Sequence, residues 1–443
     1  MNVLSERQPN MKFIFADCLD YVDPNFDFVT DTSPVGRRPY WDDMFPHEIM
    51  GEAPYDGILI SRAIVGDHLL KGKYSESQSM RFRRVGAREF LRFNGPKNKD
   101  KWVFGDCGAF QYAKFEEPPY TPSDMAEFYF DGGFTHGCSV DHIIFHFNGQ
   151  LTGMNLPGDP VIAEDCKRRF DITLENANLF IKESRHICKN FIPLGVVQGW
   201  SPGSMAKAAS ELLKMGYDYL AIGGLVPLQS EEIHQALRGI FNEITYQPPS
   251  KIHLLGFEKA DILDQFIGTY PITSIDTTSP LTKAFKDDKK NYYLSNGQGG
   301  LDYYTSIRIP QALENITFKR AVQEGIFLCE YIQFIEKQAL DALRQYAERR
   351  LSLDEALTAV LDYSRAFYIA KKLSPEKIES KINSVSLEYK RTLEDRPWER
   401  CQCHICKECS IEVLIFRASN RNKRRGIHNI KVFYDHIIEK RGF

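Results

Sequence analysis

Asp106, Asp141, Gln198 and Asp276 each close or follow a short apolar run, in the settings Gly105-Asp106-Cys107-Gly108, Val140-Asp141-His142, Val197-Gln198-Gly199 and Ile275-Asp276-Thr277. A carboxylate so placed can attack an electrophilic carbon or carry a proton to a leaving group. A carboxamide can read the edge of a polar ring with both a donor and an acceptor. Taken singly, each is an ordinary cap or turn residue, because a side-chain oxygen satisfies free backbone N–H groups at such positions. A second cluster lies near the C-terminus. Cys401, Cys403 and Cys406, with His428 22 residues beyond Cys406, have the donors and spacing to close a tetrahedral zinc site; Cys409 and His404 are further candidates for the fourth position. Four protein ligands leave no open position, so such an ion folds its segment and performs no chemistry.

The elements that would position these groups follow from periodicity. Apolar strand candidates recur at Lys12–Phe15, Gly57–Ser61, Trp102–Gly105, Val140–Phe147, Leu194–Gln198, Tyr219–Gly223, His253–Gly256 and Ile272–Asp276. Helical patterns lie between them at Ser123–Phe130, Asp171–Ser184, Ser204–Met215, Glu231–Glu243 and Lys259–Phe266. Alternating strand and helix predicts a parallel sheet, and the span matches the ~250 residues of a (β/α)8 TIM barrel. A doubly wound sheet would alternate likewise, but no Gly-x-Gly-x-x-Gly follows an early strand. From about Pro310 to Arg396 the pattern changes to long helices. The expected α/β organisation is therefore a catalytic barrel over 1–309, a helical insertion over 310–396 and a zinc-binding subdomain over 397–443.

Composition narrows the class further. A hydrophobic content of 43% with 26% charged residues is that of a water-soluble globular chain, and no run approaches the ~20 apolar residues of a membrane helix. The polar N-terminal stretch has no signal-peptide core, and six of the ten cysteines are scattered singly. Both observations predict the cytoplasm and oppose a disulfide framework. A net charge of −3 means that any nucleic-acid surface is local. Two basic patches qualify. One holds Arg81, Arg83, Arg84 and Arg88 among aromatics; the other runs from Arg417 to Arg425 and includes Arg421, Lys423, Arg424 and Arg425. Lys283 is a further candidate for phosphate contact, although a solvated face is the plainer reading of any such run.

The motifs, in order, resemble those of the tRNA-guanine transglycosylases. Asp106-Cys107-Gly108-Ala109-Phe110-Gln111 is similar to the family's Asp-Ser-Gly-Gly-Phe-Gln, Val197-Gln198-Gly199 to its Val-Gln-Gly, and Ala221-Ile222-Gly223-Gly224-Leu225 to its Ala-Ile-Gly-Gly-Leu. His253-Leu254-Leu255-Gly256 stands for its Leu-Met-Gly strand, Ile275-Asp276 for the Phe-Asp that carries its nucleophile, and Cys-x-Cys-x2-Cys with Ile427-His428-Asn429 for its zinc motif. Each match is weak alone, and six in sequence order are specific.

The resemblance implies a base exchange at a glycosidic carbon, with Asp276 as nucleophile and Asp106 as general acid and base. It also implies a base pocket of Asp141, Gln198, Gly223, Gly224, Phe110 and Gln111, and it selects His428 as the fourth ligand of a structural Zn2+. Departures from the bacterial pattern point to one branch. Ser-Gly-Gly becomes Cys107-Gly108-Ala109, the loop after the nucleophile is rewritten as Thr277-Thr278-Ser279-Pro280-Leu281-Thr282-Lys283, and 125 residues separate Asp276 from Cys401. This combination resembles the DNA-acting DpdA branch, which implies exchange of guanine in DNA for 7-cyano-7-deazaguanine (preQ0), a partner ATPase (DpdB) and a role in restriction-modification. A homodimer is compatible with the chain. Two other readings are a tRNA-acting transglycosylase and a non-catalytic nucleic-acid-binding subunit with the same fold.

Overall fold

The computed structural model describes residues 11–244, 251–257, 259–266, 269–417 and 419–440. The polar N-terminal stretch thus lies outside the described residues. Two compact units partition the chain, one from its start to Leu19 with Tyr55–Ser279, the other Asp20–Pro54 with Pro280–Lys440.

Eight strands close the first unit into a parallel barrel in sequence order: β1 (Lys12–Ala16), β2 (Gly57–Ser61), β3 (Trp102–Asp106), β4 (His136–Cys138), β5 (Ile192–Val197), β6 (Tyr219–Ile222), β7 (Lys251–Leu254) and β8 (Ser274–Thr277). Closure comes from β1 pairing with β8, where Ile14 lies opposite Asp276. The interior is filled by Ile14, Leu59, Phe104, Cys138, Leu194, Val196, Tyr219 and Ala221, so the barrel is a packed core and not a pore. Helices α1 (Glu76–Phe90), α2 (Pro122–Gly132), α3 (Pro160–Glu183), α4 (Pro202–Met215) and α5 (Ser230–Glu243) connect the strands. Their starts are written locally. Ser75, Thr121, Asp159 and Ser201 each accept a backbone N–H of the first turn, and α2, α3 and α4 begin on a proline whose missing N–H costs nothing there.

The fourth strand corrects the sequence reading. Val140–Phe147 was expected to be a strand from its apolar run, yet β4 is His136–Cys138 and residues 139–148 form a loop. That loop is buried at Val140, Ile143 and Ile144, and side chains supply the partners a sheet would have given. Thr173 Oγ1 accepts from His142 N at 3.0 Å and Gln198 Oε1 from Ile144 N at 3.3 Å. Gly137 belongs in the strand because a Cβ there would stand 2.5 Å from the Tyr129 ring. The segment expected as a helix at Lys259–Phe266 is a 3-10 turn over Ala260–Gln265.

In the second unit, α6 (Ser279–Lys286) leads into the hairpin β9 (Tyr292–Ser295) and β10 (Leu301–Tyr304), followed by β11 (Ile307–Arg308). Helices α7 (Ile316–Gln323), α8 (Cys329–Ala347), α9 (Leu353–Ala370) and α10 (Pro375–Asp395) come next. They are followed by α11 (His404–Cys409), β12 (Ile415–Phe416) and α12 (Ser419–Lys440). The helical stretch and the cysteine cluster do not have separate cores. Ile332, Leu343, Tyr363 and Leu393 share one apolar cluster with Tyr292, Ile405, Cys406 and Ile427, and Val22 and Ile49 join it. The three-part division at 309 and 396 therefore does not follow the packing, because the amphipathic helices bury their apolar faces on the hairpin and on the cysteine segment.

Candidate active site

Asp106 is the last residue of β3, and Asp276 the third residue of β8. Asp141 lies three residues beyond β4 and Gln198 one residue beyond β5. Parallel strands bring all four to the C-terminal end of the barrel. Ligand atoms of Asp106, Cys107 and Asp141 lie within 4.8 Å of one another. Burial, with the neighbouring charges of Asp141 and Asp276, pushes the Asp106 carboxyl up to about 7. Gly108 N–H donates to Asp106 Oδ2 at 3.0 Å and opposes that rise without cancelling it. A carboxyl that holds its proton near neutrality is suited to protonate a leaving group.

Asp276 is buried and held on one oxygen. Gly256 N–H donates to its Oδ1 at 2.8 Å, and His253 Nε2 donates to the same atom at 3.1 Å. His253 Nδ1 faces Ser274 Oγ at 2.6 Å, and Ser274 Oγ lies 2.6 Å from Tyr219 OH. A carboxylate oxygen can only accept, so the imidazole carries its proton on Nε2 and Nδ1 takes that of the Ser274 hydroxyl. Among the described residues Oδ2 accepts no hydrogen bond, which leaves that oxygen for an electrophile.

Asp141 is 3% exposed and anchored from both sides. Gln198 Nε2 donates to Oδ2 at 2.7 Å and the Cys107 thiol to Oδ1 at 3.2 Å. Burial raises the Asp141 carboxyl above its ordinary range, and those two donors oppose the rise. Burial and the charges of Asp141 and Asp106 also lift the Cys107 thiol well above its usual range, so it is a donor and not a thiolate nucleophile. Tyr112 OH lies 2.9 Å from both Cys107 Sγ and Asp141 O and completes the network. Gly223 keeps the Gln198 amide in place, since a Cβ there would stand 2.4 Å from Nε2. Gly224 takes φ +72°, a conformation open to glycine. Phe110 is half exposed and its ring lies 5.8 Å from that of Phe145, also half exposed; Gln111 is exposed beside them.

The sequence reading missed His253, Cys107, Tyr112 and Phe145 as parts of this site. His253 carried a signal: a histidine in an apolar strand, three residues before Gly256. Phe145 carried none, because it was assigned to a strand that does not form.

In the second unit, His428 Nδ1 lies 3.5, 3.4 and 3.3 Å from the sulfurs of Cys401, Cys403 and Cys406. A tetrahedral ion with metal–sulfur bonds of about 2.3 Å and a metal–nitrogen bond of about 2.0 Å separates sulfur from nitrogen by about 3.5 Å. The cluster fits such an ion. His428 Nε2 donates to Tyr293 O at 2.7 Å, which leaves Nδ1 unprotonated toward the sulfurs, and Tyr292 stacks on the ring at 4.1 Å. His404 is exposed and pairs with Glu408, while Cys409 Sγ accepts from Arg424, so neither joins the cluster.

The second basic patch is not a surface. Arg421, Arg424 and Arg425 are at most 1% exposed. Arg421 pairs with Asp31 and Glu412 and donates to Phe28 O. Arg424 donates to Asn420, Glu408 and Asp23 O; Arg425 donates to Val413 O and Ala284 O. Lys423 is half-buried and donates to Tyr21 O, and Arg417 pairs with Asp31 and Glu336. Phosphate contact by Arg421, Arg424, Arg425 and the paired Arg417 is therefore excluded, and the Lys423 ammonium is already engaged by a carbonyl. In the first patch, Arg88 donates to the carbonyls of Asn98 and Lys101, whereas Arg83 and Arg84 are exposed and Arg81 is half-buried. Lys283 is half-buried, with Nζ 6.0 Å from the Tyr303 ring.

A closed parallel barrel with carboxylates gathered at its strand ends, one of them pushed up to about 7, has the build of an enzyme active site. No family model matches the chain. It is 40% identical over 429 residues to a DNA-guanine transglycosylase of Salmonella montevideo, covering 96% of both chains. It is 27% identical to a tRNA-guanine(15) transglycosylase of Methanocaldococcus jannaschii over 161 residues, 35% of this chain and 22% of the relative. The chain belongs to the guanine transglycosylase family, as a DpdA-like member, and is a glycosyltransferase-type enzyme. Among the described residues no helix is long and apolar enough to cross a membrane.

Proposed function

We propose that this protein is a pentosyltransferase that exchanges guanine in DNA for preQ0. The observation that carries the reading is the pairing of Asp106, whose carboxyl is pushed up to about 7, with an Asp276 whose Oδ2 accepts no hydrogen bond among the described residues. Asp276 Oδ2 attacks C1′ of the target deoxyguanosine as the bond from C1′ to the base breaks, and Asp106 gives its proton to the departing guanine. Incoming preQ0 then surrenders its ring proton to Asp106 and its nitrogen takes C1′ back from Asp276. Asp141 accepts from the amino and ring N–H groups of either base, Gln198 and Gly224 N–H face its acceptors, and Phe110 with Gln111 closes over it.

Reaching C1′ within a duplex requires extrusion of the nucleotide, at roughly a few kcal/mol. The exposed Arg83 and Arg84 are the leading phosphate contacts, with the half-buried Arg81 and Lys283 beside them as further candidates. The Cys401/Cys403/Cys406/His428 cluster holds a Zn2+ that organises the second unit. The protein acts in the cytoplasm beside an ATPase partner, DpdB, within a restriction-modification system. The name of the DNA-acting relative over nearly the whole chain supports DNA over tRNA.

Labelled preQ0 incubated with the protein and either DNA or tRNA tests the substrate, with and without the ATPase; label entering tRNA alone refutes the DNA assignment. Asp276→Asn keeps an acceptor for Gly256 and His253, so fold and metal content remain while incorporation and the covalent DNA adduct disappear. An active Asn variant would remove Asp276 as nucleophile.

A further inference from the structure

The second unit contains a cavity of about 260 Å3 that the exchange chemistry does not use. Four cations line it: Lys289, which pairs with Glu388, and three on different elements, Arg308 on β11, Lys371 at the end of α9 and Lys381 on α10. The Arg308 guanidinium lies 5.7 Å from the Phe367 ring centre and 5.4 Å from that of Phe416. Lys371 Nζ lies 4.6 Å from the same Phe367 ring, and Lys381 Nζ 5.9 Å from Tyr368. Aromatic faces thus hold two like charges close together.

The acidic groups present do not neutralise them. Asp288, an exposed residue, reaches Arg308 at 3.5 Å, and Glu388 is engaged by Lys289 at 3.9 Å and by Thr305 Oγ1 at 3.3 Å. Burial and the positive charges of Arg308 and Lys381 hold the Lys371 ammonium below its usual range. Ser306, also in the lining, is 3% exposed and its hydroxyl has no hydrogen-bond partner among the described residues. Clustered cations beside an unsatisfied hydroxyl describe a site for a compact anion of more than one charge.

We propose that this cavity binds a phosphate group, gripped by Arg308, Lys371 and Lys381 with Ser306 in its wall. Arginine offers a planar fork to phosphate oxygens, and the two lysines add point charges. The volume accommodates the phosphate and part of the sugar it is attached to. Two sources share that chemistry, a free nucleotide and the phosphodiester of a nucleic-acid strand.

The test titrates the full chain with inorganic phosphate, with dGMP and with a short DNA duplex, at fixed ionic strength, by calorimetry. The Lys371→Glu/Lys381→Glu double variant changes two exposed residues and is checked for unchanged melting and metal content. A control, Lys319→Glu/Lys337→Glu, makes the same charge change on exposed residues outside the cavity. The double variant weakens binding at least tenfold, and the control keeps the wild-type affinity. Loss confined to phosphate and dGMP assigns the site to a free nucleotide; loss confined to DNA assigns it to the strand backbone. The proposal is overturned if the wild type binds none of the three probes, if the double variant binds as the wild type does, or if the control weakens binding equally.

Discussion

Replacing Asp106 by Asn separates the stability of the site from its chemistry. In the folded protein this carboxyl is pushed up to about 7, against 3.8 for an ordinary Asp, by burial and by Asp141 and Asp276. The raised value means that the folded state holds a proton which the unfolded chain releases first. Stability is therefore unaffected by this group below about pH 4, falls as pH rises through the interval, and reaches its full loss above about 7. The interval of about 3 pH units corresponds to roughly 4 kcal/mol at 1.36 kcal/mol per unit, an upper bound because the residue keeps some contact with solvent. Asn keeps the shape and an oxygen for Gly108 N–H but cannot ionise. Its advantage over the wild type is about 1.5 kcal/mol near pH 5 and approaches 4 kcal/mol near pH 8, so it widens by about 2.5 kcal/mol. Denaturant unfolding of both proteins at the two pH values measures this directly. Base exchange by the variant is abolished at either pH, and the wild-type rate declines as pH rises through about 7. An offset between the two proteins that does not change with pH would refute the reasoning, because Asp106 would then titrate in the ordinary range.

Three further outcomes follow from the geometry. His253→Leu removes one of the two donors to Asp276; a charge-assisted hydrogen bond of about 1.5–3 kcal/mol converts to a kcat reduced roughly 10- to 100-fold with KM little changed, read by steady-state incorporation. Elemental analysis finds one zinc per chain, and Cys403→Ala or chelation removes it and lowers the melting temperature, since such an ion contributes on the order of 10 kcal/mol to the fold around it. Arg421→Ala strips a buried cation from Asp31 and Glu412 and costs about 3 kcal/mol, whereas Arg84→Ala on the surface stays within about 0.5 kcal/mol and weakens DNA binding instead, as melting and salt-titrated binding will show.

The buried arginines show where a linear reading goes astray. Arg421, Arg424 and Arg425 form a basic run, and charge runs usually lie on solvated faces. They also stand seven, four and three residues before His428, the spacing that places residues on one face of a helix. If His428 must turn inward to meet three thiols, those arginines turn inward with it. That deduction was open to the sequence. The Asp31 carboxylate that pairs with Arg421 was not, because it lies almost 400 residues away.

The alternation that closes the barrel, the strand ends that carry Asp106 and Asp276, and the three thiols of the metal cluster are written in local spacing, whereas His428 as the fourth donor came from the family resemblance. Tertiary structure decided the rest. It replaced an expected fourth strand by a loop, since side chains of Thr173 and Gln198 could satisfy that backbone as well as a sheet. It turned Cys107 into a donor to Asp141 and gave Asp276 a histidine. It also set the proton affinity of Asp106, which depends on burial and on two carboxylates distant in sequence and brought near only by closure of the barrel.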